Sequence, residues 1–77
     1  MTIKSLFESL TTDETMFKFI DILESTQPDF DEETEWEDLS DRDQAGTILQ
    51  FAIISGMKVS DVMEEIWFIL KREGLKS

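Results

Sequence analysis

The chain has 77 residues, enough for one domain with one small core. Its 18 acids outnumber its 7 bases and give a net charge of -11, which argues against direct binding to nucleic acid or to an anionic membrane surface. Cysteine and histidine are both absent, which excludes disulfides, thiolate chemistry, Cys-based metal sites and the commonest general base.

An apolar fraction of 40% suits a packed globule better than a disordered chain. The longest uninterrupted apolar run, Ile66-Trp67-Phe68-Ile69-Leu70, falls far short of the roughly 20 residues a membrane span needs. The opening segment from Met1 to Glu8 is broken by charge and does not read as a signal peptide. A cytoplasmic protein with no membrane partner is the expectation.

Taken in chain order, the first predicted helix is capped by Thr2. Ile3, Leu6, Phe7 and Leu10 repeat at the i, i+3, i+4, i+7 spacing of one helical face. A second helix starts at Thr11 or Thr12, where Thr11 and Glu14 match the spacing of a capping box. Its stripe is Met16, Phe19, Ile20 and Leu23, widened by Phe17 and Ile22. Ser25-Thr26-Gln27-Pro28 ends it, because proline disfavours the helical region for the residue before it.

A third helix starts near Ser40 or Asp41, with Ala45, Ile48, Leu49, Ala52 and Ile53 on one face. Gly56 stands where a left-handed C-terminal cap belongs. Ser60 is the expected cap of a fourth helix with Val62, Met63, Ile66, Trp67, Ile69 and Leu70 on its apolar side. Asp61, Glu64 and Glu65 near its start and Lys71 and Arg72 near its end suit the helix dipole. Gly74 closes it. No segment alternates with a strand period.

The reading is therefore all-α: a small three- to four-helix bundle, one domain over residues 1–77, with a long acidic connection between the second and third helices. Ile20, Leu49, Ile53, Ile66 and Leu70 are expected in the core.

Ala52, Gly56 and Val62 have the spacing of a helix-turn-helix corner: a small residue for close approach, a glycine for the turn and a valine that packs back. A DNA-reading role conflicts with charge, since the would-be recognition helix begins Ser60-Asp61-Val62-Met63-Glu64-Glu65 and would present carboxylates to phosphates.

Residues 29–43 read Asp-Phe-Asp-Glu-Glu-Thr-Glu-Trp-Glu-Asp-Leu-Ser-Asp-Arg-Asp, a run with nine of the chain's acids and one Arg. Such crowding costs self-repulsion, and a docking role would offset that cost. The candidate partner-binding residues are Asp29, Asp31, Glu32, Glu33, Glu35, Trp36, Glu37 and Asp38. Two readings of the aromatics stay open. Trp36 is either a contact anchor, as aromatics often are, or it pins the connection to the bundle together with Phe30 and Leu39. Residues 29–35 and the two chain ends are expected to be the most mobile parts.

An EF-hand frame starting at Asp29 fails, because its sixth position holds Thr34 in place of glycine and its twelfth holds Ser40 in place of glutamate. No metal, cofactor or catalytic residue is assigned. Glu37-Asp38-Leu39 before a helix, with the small size and acidity, is superficially similar to acyl carrier proteins. That family carries its prosthetic group on the serine of an Asp-Ser-Leu motif, whereas Ser40 here lies between Leu39 and Asp41. The short step from Gly56 to Ser60 also leaves no room for that family's small third helix, so no membership is assigned.

The functional expectation is a non-enzymatic interaction module docking on a basic protein surface. One concrete form is an inhibitor that imitates nucleic-acid charge, as phage-encoded antagonists do. The alternative is a homodimeric or oligomeric structural or adaptor protein, associating through apolar helix faces around Trp67 and Phe68.

Overall fold

A computed structural model describes residues 1–27 and 29–74. It is all-α, with four α-helices and a short 3-10 turn among the described residues. The helices are α1 (Ile3–Glu8), α2 (Asp13–Thr26), α3 (Asp41–Ser55) and α4 (Val59–Arg72), and the 3-10 turn is Trp36–Asp38. No described helix is long and apolar enough to cross a membrane.

Local chemistry sets most of the boundaries. Thr2 caps α1, its hydroxyl accepting from the Ser5 amide at 3.0 Å. Ser40 does the same for α3 through the Asp43 amide at 3.2 Å. Capping hydroxyls of this kind contribute about 1 kcal/mol each. The second helix is capped by Thr12, which accepts from the Thr15 amide at 3.5 Å, so the expected Thr11–Glu14 box is not the one used. Gly56 ends α3 with φ 75°, a left-handed conformation costly for any residue with a Cβ. The last helix begins two residues earlier than expected, with Lys58 at the cap and no side-chain hydrogen bond there. Ser60 therefore lies inside α4. Gly74, at φ 74°, follows its end.

The core is one cluster fed by every element. Ile3, Leu6 and Phe7 come from α1, Met16, Phe19 and Leu23 from α2, Ile48, Phe51 and Ala52 from α3, and Val62, Ile66, Ile69 and Leu70 from α4. Phe7 is its centre. Its ring lies 4.8 Å from Phe19, 4.9 Å from Phe51 and 5.6 Å from Trp36, and Phe19 meets Phe51 edge-on at 5.1 Å. Tilted and edge-to-face pairs of this kind add to the burial energy of the rings. Ala52, Gly56 and Val62 make the tight corner their spacing predicts, with Ala52 and Val62 both buried.

The third helix faces differently from expectation. Leu49 and Ile53 are 50% and 67% exposed, whereas Thr47, Ile48, Phe51 and Ala52 are buried. Apolar residues are spread around α3, so two faces compete. The Phe51 face wins because its ring completes the aromatic cluster. The Thr47 hydroxyl enters the core by donating to the Asp43 carbonyl at 2.8 Å. Of the other expected core residues, Ile66 and Leu70 are buried, and Ile20 is half-buried against the cluster. Leu49→Ala is accordingly expected to change stability by no more than about 0.5 kcal/mol in urea unfolding, as at most surface positions. A loss of about 2 kcal/mol or more, the cost of truncating a buried leucine, would restore the original face.

Candidate functional site

The acidic connection is held against the bundle by backbone and side chain together. The Ile3 amide donates to the Thr34 carbonyl at 2.9 Å and the Trp36 amide to the Met1 carbonyl at 2.8 Å. These two bonds form an isolated antiparallel bridge between Thr2 and Glu35. The Lys4 amide adds a bond to the Glu32 carbonyl at 3.0 Å. The segment that composition marks as mobile is thus tied to the residues that lead into α1. The Ile3 and Lys4 amides belong to the first turn of α1, where no helical carbonyl can serve them.

Side chains complete the attachment. Trp36 is only 4% exposed and packs edge-on against Phe7. Its carbonyl accepts from the Gln44 side-chain amide of α3 at 2.9 Å. Phe30 and Leu39 are half-buried against the same core. Trp36 therefore leaves the candidate docking set. Its indole is in the core, and of the two readings the pinning one describes all three apolar residues.

The acids of the segment fall into distinct groups. Asp41 and Asp43 lie in the first turn of α3, where negative charge is stabilised by the helix dipole. Asp31 folds back to accept from the Glu33 amide at 2.9 Å. The amino-terminal ammonium of Met1 hydrogen-bonds Glu35 and lies 3.5 Å from Glu37. The Glu35 hydrogen bond raises the ammonium's pKa, with Glu37 adding in the same direction against partial desolvation. The remaining four, Asp29, Glu32, Glu33 and Asp38, make no side-chain hydrogen bond or ion pair among the described residues. Asp29, Glu33 and Asp38 are exposed and Glu32 is half-buried.

Three hollows are relevant to chemistry. One of about 280 Å³ lies under the connection and is lined by Asp29, Asp31 and Asp43 with Ile3, Phe30 and Leu39. A second, of about 350 Å³, runs between α1 and α2 beside Lys4, Phe17 and Glu32. A third, of about 380 Å³, lies between Trp36, α3 and α4, with Met63, Glu64 and Trp67 on its rim. Among the described residues no group of three acids is placed to hold a metal ion. Every described buried side-chain nitrogen or oxygen has a hydrogen-bond partner.

Sequence reasoning missed one surface feature, the exposed apolar flank of α3 formed by Leu49 and Ile53. Its signal was the i, i+4 spacing of Ala45, Leu49 and Ile53, which is that of a second stripe beside the one that packs. No family model matches the chain, and no similar curated protein or solved structure was found.

Proposed function

We propose that the protein is a non-enzymatic interaction module whose acidic connection docks on a basic protein surface. Its concrete form is an inhibitor that covers a nucleic-acid-binding site by imitating phosphate charge. One observation carries this reading. Among the described residues Asp29, Glu32, Glu33 and Asp38 make no side-chain hydrogen bond or ion pair, yet their segment is held by three backbone hydrogen bonds and a buried indole. Four carboxylates without internal partners repel one another and their neighbours, a cost that docking would offset. Holding them on a fixed frame lowers the ordering cost of binding.

The test uses a variant with Asp29→Asn, Glu32→Gln, Glu33→Gln and Asp38→Asn. It spares Glu35 and Glu37, which hold the amino terminus, and Asp31, which shapes the turn. The native chain, immobilised, is expected to retain a basic protein from extracts of its host at low salt. High salt or duplex DNA should release that protein. The neutralised variant, equally folded by circular dichroism, should retain little of it. Equal retention by both chains would reduce the acids to a solvated face.

A further inference from the structure

We infer that the protein pairs with a second copy of itself through α4, the two helices running antiparallel about a two-fold axis between Trp67 and Phe68. This surface adjoins the acidic connection at Trp36 but includes none of Asp29, Glu32, Glu33 and Asp38, and it does not depend on the docking reading.

The outer side of α4 carries Met63, Trp67 and Phe68, which are 54%, 40% and 52% exposed. Two of them form an aromatic pair, with Trp67 and Phe68 in edge contact at 5.3 Å. Large apolar side chains grouped on a small protein mark an association surface more often than isolated ones do. Their charged neighbours indicate what covers them. Asp61, Glu64 and Glu65 stand in the first half of the helix, and Lys71 and Arg72 in its last turn. Among the described residues none of these five forms an ion pair within its own chain, whereas Lys4–Glu8 and Glu14–Lys18 pair one turn apart on α1 and α2. The α4 charges of opposite sign on the outer side, Glu64 and Lys71, are seven residues apart. They share a face about 10 Å apart along the axis, too far to meet each other.

A basic partner would be repelled by Lys71 and Arg72, and an acidic one by Glu64 and Glu65. A second copy laid antiparallel satisfies both halves. With the axis between Trp67 and Phe68, Glu64 of each copy faces Lys71 of the other, and each Trp67 faces the other Phe68. The contact is isologous and closes at two copies. Lys71 already lies 4.7 Å from the Trp67 ring centroid, so it is placed at the seam. Parallel packing would put acid against acid and base against base.

The test is sedimentation equilibrium of the full chain alone at about physiological ionic strength, where long-range repulsion between copies is damped but ion pairs in close contact persist. A monomer–dimer equilibrium is expected. Glu64→Lys and Lys71→Glu each turn two attractions into two repulsions. Each should weaken dimerisation by about tenfold or more. Both positions are exposed, so folding should survive, which circular dichroism checks. Mixing the two variants restores opposite charges at both contacts, and the mixture should form a heterodimer with near-native affinity. Phe68→Ser should weaken the dimer without any change of charge. A chain that stays monomeric at every concentration overturns the proposal. So does a dimer indifferent to the reversals, or a mixture that fails to recover. A native chain that dimerises but retains no basic protein would instead count against the docking reading alone.

Discussion

Replacing Phe7 with alanine is expected to unfold most of the protein at room temperature. The Phe7 ring is fully buried and touches the rings of Phe19, Phe51 and Trp36, so it joins α1, α2, α3 and the acidic connection. Truncating a buried phenylalanine costs about 3–5 kcal/mol, partly from lost transfer energy and partly from the cavity left behind. A single core in a chain this small supplies only about 3–5 kcal/mol in all. The two figures are the same size, so the native state should lose its majority. Phe17→Ala is the control: the same chemistry at a ring that is 77% exposed should stay within about 0.5 kcal/mol of native. Thermal and urea melts followed by circular dichroism decide it. A cooperative Phe7→Ala transition within about 1 kcal/mol of native would mean that the aromatic cluster does not organise the fold.

Trp36→Ala is the second large effect, and it separates structure from contact. With Trp36 in the core, the loss should appear in stability, at about 3–5 kcal/mol. Trp36→Phe should recover part of it by keeping an aromatic edge near Phe7. At partly folded temperatures, binding should fall only in proportion to the folded fraction. If Trp36→Ala melted like the native chain and lost binding by ~2 kcal/mol or more, Trp36 would be a contact hot spot and its placement here would be wrong.

The helices were legible because each rule that marks them acts locally. The Thr2 and Ser40 hydroxyls, the Gly56 turn and the proline after Gln27 need no knowledge of the rest of the chain. The stripe of α1 was legible for the same reason: its apolar residues define one face, and Ile3, Leu6 and Phe7 are buried. The facing of α3 was not, because Leu49 and Ile53 compete with Phe51 and Ile48, and only tertiary partners choose between them. Nothing local in residues 29–35 shows that their carbonyls serve the amides of Ile3 and Lys4. That pairing spans about thirty residues, and only the tertiary fold, with Trp36 in the core, brings the two segments together. For the candidate site, composition located the acids. Only the fold separates those with a structural role, such as Asp31, Glu35, Asp41 and Asp43, from the four that make no side-chain hydrogen bond or ion pair among the described residues.

The claim at the centre of this account is that those four charges serve docking. Its most direct test is the association rate of the native chain with the basic protein it retains, measured across ionic strength beside the variant neutralised at Asp29, Glu32, Glu33 and Asp38. The account predicts a native rate that falls steeply with salt and exceeds the variant's by about tenfold or more at low salt, with dissociation little changed. Equal association rates at low salt would contradict it.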